Sequence, residues 1–114
     1  MPFINTRLNR PLAKEQETRL KELFGQAIAT FPGKSEDWLM LNFSDNCRLW
    51  FRGENDDPMA YVEVSLLGAA DRESCTRMTE VICDILQKEL SLSPDRVYVK
   101  YEFATAWGWN RVNF

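Results

Sequence analysis

Residues 59–67 of the chain read MAYVEVSLL, a run rich in β-branched and other apolar residues that predicts a strand. Residues 96–103, RVYVKYEF, predict another. Between them, residues 69–90 carry a helical pattern whose apolar face consists of Cys75, Met78, Ile82, Ile85 and Leu86. The stretch therefore forms a strand, a helix and a strand, with a crossover long enough for the two strands to pair in parallel.

The first half of the chain has the same order of elements. Residues 2–8 predict a strand, and Asn9-Arg10-Pro11 predicts a turn whose proline suits the first position of a helix. Apolar residues at three-and-four spacing extend this helix to about Phe31, and Pro32-Gly33 ends it. Residues 38–43, WLMLNF, then predict a strand that is buried largely on both faces.

The segment between the two halves contains a further predicted strand. Ser44-Asp-Asn46 is typical of a turn, and Arg48–Arg52 predicts a short strand that forms a hairpin with residues 38–43. Residues 53–58 predict a polar loop.

The two strand-helix-strand units predict an α/β (α+β) fold with one four-stranded mixed sheet. Both helices would cover one face of this sheet and leave the other bare. The bare face would carry apolar residues of the WLMLNF strand, and a symmetric oligomer is the simplest cover for it. We expect a single domain over residues 1–114, with repeats over about 2–52 and 59–114.

Composition narrows the classes of function. The 114 residues carry a net charge of −3, which argues against nucleic-acid and membrane partners. The absence of histidine removes the Ser-His and Cys-His dyads and the His-bearing zinc sites. The three cysteines are expected to be free buried thiols. The start has no signal-peptide pattern, so we expect a cytoplasmic protein, or one secreted by a route that needs no signal peptide.

Four motifs together resemble the macrophage migration inhibitory factor family of the tautomerase superfamily. They are MPFINT at residues 1–6, PGK at 32–34, SPDRVYV at 93–99 and WGWNRVNF at 107–114. The resemblance covers nearly the whole chain and implies a homotrimer whose sheets enclose a central channel, with active sites at the subunit interfaces.

The resemblance also implies that Met1 is removed and that the freed amine of Pro2 is the catalytic base. A terminal proline is a secondary amine, and α-amino groups titrate near pH 8, within reach of neutral pH when burial and nearby cations disfavour the protonated form. Such a base can move a proton between the carbon beside a ketone and the ketone oxygen. A retained Met1 would instead make this nitrogen a non-basic amide. Neither a metal nor another cofactor is expected.

Further site residues follow from the resemblance, position by position. Lys34 matches a pocket lysine that attracts a substrate carboxylate and helps to keep Pro2 neutral. Tyr98 matches a tyrosine that a neighbouring subunit contributes. Packing in the core or an interface is the alternative for the residues that match apolar or aromatic walls, which are Phe3, Trp38, Leu67, Trp109 and Phe114.

The sequence departs from the family pattern at three places. Lys100 stands where asparagine is frequent, and would add a second cation at the polar end of the substrate or, from the adjacent chain, beside Pro2. Trp107 would narrow the pocket mouth or stack on an aromatic substrate. Met59-Ala-Tyr61 replaces the C-x-x-C of some members, so their thiol activity is not expected here.

These features leave three hypotheses of function. The first is a keto-enol tautomerase for arylpyruvates, such as phenylpyruvate or its 4-hydroxy form, with Pro2 as base and Lys34 and Lys100 as carboxylate anchors. The second is a cytokine-like signalling protein that acts through a receptor protein. The third is a pseudoenzyme whose pocket Trp107 has closed.

Overall fold

The computed structural model describes all residues from Met1 to Phe114. Short 3₁₀ turns stand at Ile28–Thr30, Glu36–Trp38 and Pro94–Arg96. The main elements are, in chain order, β1 (Pro2–Leu8), α1 (Lys14–Ala27), β2 (Met40–Ser44), β3 (Ala60–Leu67), α2 (Arg72–Leu90), β4 (Val97–Ala104), β5 (Gly108–Trp109) and β6 (Val112–Asn113).

Four strands form one mixed sheet in the order β2-β1-β3-β4. β1 pairs with β2 in parallel, and β3 pairs with β4 in parallel, so each strand-helix-strand unit is closed by its own crossover. β1 and β3 pair antiparallel along their length, from Pro2 opposite Leu66 to Leu8 opposite Ala60. This arrangement confirms the predicted fold class.

The hydrophobic core lies between the sheet and the two helices. Alternate residues of β1 and β3 point into it, as the two-residue period of a strand requires. Phe24 of α1 is fully buried and stacks on Phe43 of β2 with ring centroids 5.9 Å apart. The largest fully buried aliphatic side chains are Ile4, Leu20, Ile28, Leu66, Met78, Ile82 and Leu86.

Both helices begin later than predicted because their caps lie downstream. Asp71 caps α2 by accepting a 2.8 Å hydrogen bond from the Ser74 N–H, so residues 69–71 stay outside the helix. At α1, the Gln16 side chain accepts a hydrogen bond from the Ala13 N–H at 2.9 Å, and the helix starts at Lys14. Neither helix is long and apolar enough to cross a bilayer.

The prediction that residues 38–43 are buried on both faces is wrong. Leu41 and Phe43 pack against the core, but Met40 points to the bare face of the sheet and is 69% exposed. Trp38 belongs to a 3₁₀ turn that precedes the strand. The alternation of a strand at the sheet edge divides this apolar run between the two faces.

The bare face of the sheet is more polar than predicted. Its central cross-strand row joins Asn42, Asn5, Glu63 and Lys100, in that order across the sheet. Arg7 donates a 2.8 Å charged hydrogen bond to Glu63 in this region. Apolar residues are confined to the two ends of the face, so ion pairs rather than apolar contacts occupy its middle.

The prediction of a strand and hairpin over Arg48–Arg52 is also wrong, since only a single bridge joins Phe51 to Glu54. Arg52 and Gly53 have φ angles of 54° and 77°, so the chain reverses where the strand would have continued. The Cys47 N–H also donates to the Leu8 carbonyl at 2.8 Å, which directs the segment away from β2.

Replacement of Phe24 by alanine is expected to destabilise the protein by about 3–5 kcal/mol, because it leaves a cavity under the stacked Phe43 ring. Urea unfolding at one fixed protomer concentration measures this change. The exposed Gln26 on the same helix provides the control, since Gln26→Ala should change stability by less than about 0.5 kcal/mol. Equal effects of the two substitutions would contradict the assigned core.

Candidate active site

A cavity of about 760 Å³ opens at the edge of the sheet where β1 and β2 begin and β3 and β4 end. The antiparallel register of β1 and β3 places the start of one strand beside the end of the other. Five of the residues predicted for the site line this one cavity, namely Pro2, Phe3, Trp38, Trp107 and Trp109.

One cross-strand row of the sheet contributes directly to the cavity. Met40, Phe3, Ser65 and Glu102 are successive partners in the register of β2, β1, β3 and β4, and all four line the cavity. Their side chains share the face opposite the helices, because residues paired across a sheet point to the same side. The row runs from an apolar end at Met40 to a charged end at Glu102.

An aromatic wall closes one side of the cavity. The rings of Trp38 and Trp109 meet edge to face, with centroids 5.0 Å apart and an interplanar angle of 87°. The ring centroid of Phe114 lies 6.5 Å from that of Trp109, although Phe114 does not line the cavity itself. Trp107 lines the cavity without filling it, so the space next to Pro2 stays open.

The C-terminal hairpin that carries this wall was missed by the sequence analysis. β5 and β6 pair antiparallel, and Trp107 and Phe114 exchange two backbone hydrogen bonds below them. Asn110 and Arg111 form the two-residue turn, with φ angles of 51° and 70°. Such turns favour Asn-Gly, so the Asn-Arg pair indicates a hairpin only weakly, and the sequence did not predict one.

Lys34 and the N-terminal segment meet at the backbone of Leu67. The Leu67 N–H donates to the Met1 carbonyl at 3.2 Å, and the Leu67 carbonyl accepts a hydrogen bond from Lys34 Nζ at 3.0 Å. Leu67 thus contributes its backbone here, and its side chain is absent from the cavity lining. Pro2, the first residue of β1, is buried.

The amine at the chain terminus is held in an environment that disfavours its charge. In the chain that starts at Met1, partial burial lowers the pKa of the α-amine, and the neighbouring Lys34 ammonium lowers the pKa further. The nitrogen of Pro2 is an amide in this form, one peptide unit inside the same surroundings.

Tyr98 and Lys100 lie away from the cavity of their own subunit. Tyr98 pairs with Tyr61 near the opposite end of β4, and its ring meets that of Phe51 edge to face at 5.3 Å. The contribution of Tyr98 from a neighbouring subunit stays a prediction. Lys100 binds Glu102 at 2.9 Å, and this hydrogen bond and charge raise the pKa of the lysine.

Three polar residues of the cavity were not predicted, which are Asp37, Ser65 and Glu102. Glu102 could have been found from strand alternation, since it lies two residues after Lys100 and therefore on the same face. Asp37 and Ser65 carry no comparable sequence signal, because their positions depend on a 3₁₀ turn and on the register of β3.

The side chains do not form a group of three or more metal-ligating residues that could hold an ion. Cys47, Cys75 and Cys83 are free thiols. Burial raises the pKa of Cys75 and of Cys83, which keeps both protonated and poorly nucleophilic near neutral pH. The lining of the cavity brings the chain terminus, two carboxylates and several aromatic rings together.

The family model described as macrophage migration inhibitory factor (MIF) matches residues 1–112 of the chain. The macrophage migration inhibitory factor of Mus musculus is 30% identical to it, over 100% of this chain and 99% of the relative. The crystal structure of MIF2 from Leishmania major superposes with a TM-score of 0.91 at 32% identity, covering 100% of this chain and 97% of that one. The factor from Toxoplasma gondii has a TM-score of 0.90 at 18% identity, with 98% and 99% covered, a likeness of fold alone.

Replacing Lys34 with methionine in the chain that starts at Met1 is expected to raise the pKa of the terminal amine, because a positive neighbour that opposed protonation is removed. Burial, the larger cause, remains and keeps the pKa below its ordinary value. The pH dependence of amine acylation, followed by peptide mass spectrometry, measures the pKa. Lys21→Met, on an exposed face of α1, is the matched control and should leave it unchanged; an unchanged pKa in Lys34→Met would contradict the assignment.

Proposed function

The chain belongs to the macrophage migration inhibitory factor family, and we propose that it is a keto-enol tautomerase of arylpyruvates whose general base is the amine of Pro2. The observation that carries this proposal is the position of Pro2, buried at the start of β1 and lining an open aromatic cavity. Lys34 lies outside the lining of this cavity, and its ammonium binds the Leu67 carbonyl next to Met1. Membership of the family supports the isomerase class, and the choice of arylpyruvates rests on the cavity.

The proposed reaction moves one proton. Removal of Met1 converts the Pro2 amide into a secondary amine. Burial and the Lys34 charge lower the pKa of the Met1 amine in the unprocessed chain, and the same two causes would favour the neutral form of the Pro2 amine. The neutral amine takes a proton from the carbon between the ring and the keto group, and the electron pair moves onto the keto oxygen. The protonated amine then returns this proton to that oxygen, which completes the enol and regenerates the neutral base, and the reverse sequence restores the ketone.

Lys34 is suited to anchor the substrate carboxylate. Its ammonium has three N–H donors, and the Leu67 carbonyl takes one of them. The remaining donors can bind a carboxylate close to the nitrogen of Pro2, since Leu67 also bonds to the residue that precedes Pro2. This places the acidic carbon next to the base, which is the main contribution that positioning makes to such a step.

The aromatic wall accounts for the aryl part of the proposed substrate. Trp38 and Trp109 present an edge-to-face pair, and Phe3 lies in the cross-strand row that borders the same cavity. A volume of about 760 Å³ lies within the range of about 300–1,000 Å³ that small-molecule sites have. The open space beside Trp107 favours an enzyme over a pseudoenzyme whose pocket that residue closes.

The homotrimer is part of the same proposal. Further copies of the chain would cover two surfaces, the bare face of the sheet and an aromatic groove around Tyr98 and Trp50. These two side chains are 61% and 65% exposed. In this assembly Tyr98 of one subunit would complete the cavity next to Pro2 of another. Each site would then need two chains.

Pro2→Gly is expected to lower kcat/KM for enolisation of phenylpyruvate at least about 100-fold, because the rigid secondary amine is lost. Circular dichroism and the sedimentation velocity of the variant should match those of the wild type. Pro11→Gly is the matched control, since Pro11 is exposed in the turn before α1 and should leave kcat/KM within about twofold. Full activity in a folded Pro2→Gly variant would refute the role of Pro2.

The mature protein is expected to be lighter than the encoded chain by one methionine residue, since only then is the Pro2 nitrogen basic. Intact-mass spectrometry of the native protein measures this. The kcat/KM of the mature protein should rise with pH through the pKa of the Pro2 amine, because only the neutral amine acts as a base and it becomes protonated at low pH. A retained Met1 in active protein would contradict the proposed chemistry.

A further inference from the structure

Two carboxylates, Asp37 and Glu102, line the cavity, and only Glu102 is bound to a cation. Glu102 stands at one end of the cross-strand row that also contains Ser65 and Phe3. Its Oε1 lies 2.9 Å from Lys100 Nζ, on the same face of β4. Lys100 itself does not line the cavity, but its ammonium is bound by a carboxylate that does.

The charge of Lys100 is already balanced inside the subunit. A second carboxylate, Glu63, lies 3.7 Å from Lys100 Nζ and also accepts the 2.8 Å hydrogen bond from Arg7. Two cations and two carboxylates thus form one connected network, with Glu102 as its member at the cavity. The expectation that Lys100 anchors a substrate carboxylate does not fit this arrangement, because no charge of the network is left over.

We propose that Glu102 is a specificity-determining residue, which restricts the cavity to substrates with a single negative charge. By binding Lys100, it keeps that ammonium from attracting a second anionic group on the substrate. Lys34 remains as the cation for the α-keto carboxylate. The inference rests on the proposed tautomerase function and adds the charge class of the substrate to it.

The size of the effect follows from the exposure of the pair. The side chains of Lys100 and Glu102 are 51% and 55% exposed, so water and salt screen their fields. A discrimination on the order of tenfold is expected under these conditions, and it should weaken as ionic strength rises. Neither residue belongs to the hydrophobic core, so substitution of either is compatible with the fold of the subunit.

Two arylpyruvates of equal shape test the proposal, one carrying a carboxylate and one a carbamoyl group at the para position of the ring. Wild-type protein should prefer the neutral compound by about tenfold in kcat/KM. Glu102→Gln should raise the kcat/KM of the carboxylate compound relative to that of the carbamoyl compound by about tenfold, because it releases Lys100. An unchanged ratio in this variant would overturn the proposal.

Two further variants distinguish the effect of Glu102 from the effect of the overall charge of the cavity. Asp37→Asn makes the same change of charge in the same cavity but releases no lysine, so the ratio should change by less than about threefold. Lys100→Met added to Glu102→Gln should remove most of the gain, because the released cation is then absent. A gain of equal size in Asp37→Asn, or a full gain in the double variant, would contradict the assigned role.

Binding distinguishes failure of this inference from failure of the proposed function. Trp38, Trp107 and Trp109 line the cavity, so quenching of tryptophan fluorescence reports the Kd of both compounds without turnover. The wild-type protein could fail to enolise either compound and still bind the neutral one more tightly, with this preference lost in Glu102→Gln. That result would reject the tautomerase and keep the charge selection. Turnover of both compounds with no preference would keep the tautomerase and reject the role of Glu102.

Discussion

The antiparallel pairing of β1 with β3 is the contact on which the rest of the structure depends. It joins two strand-helix-strand units that each contain only a two-stranded parallel sheet, and two strands alone would leave a helix with little to pack against. The same pairing sets Pro2 opposite Leu66. The start of the chain is thereby fixed beside the ends of β3 and β4, where the cavity and the C-terminal hairpin lie. One register of hydrogen bonds therefore determines both the core and the site.

Much of the fold could be predicted from the sequence because its signals are local and repeated. The apolar period of α2 and the β-branched runs of β3 and β4 each have one consistent interpretation, and their order repeats in the first half. Residues 48–52 misled because a short apolar run such as Leu49–Phe51 also suits an irregular segment. Gly53 is a residue type that favours left-handed backbone, but Arg52 carries no signal that the strand is broken one residue earlier.

The site was less accessible to sequence reasoning because it is assembled from distant segments. The resemblance supplied Pro2, Lys34 and the tryptophans, but it gave no information on Glu102, whose effect depends on a contact with Lys100 and on the register of β4 with β3. A lysine in a sequence is read as an available positive charge. In the folded chain Glu63 and Glu102 neutralise it, and such pairing across strands can be seen only once the register is known.

Both ends of the chain converge on the same edge of the sheet. Met1 lines the cavity, and Phe114 packs on Trp109, which also lines it. A purification tag or fluorescent fusion at either terminus would therefore emerge at the candidate active site, and one at the first residue would also occupy the amine. The exposed residues 53–57 precede β3, whose first residue lies opposite the last residue of β1. They therefore offer an insertion point at the end of the sheet opposite to Pro2. Probes placed there would report on the protein without altering the cavity of their own subunit.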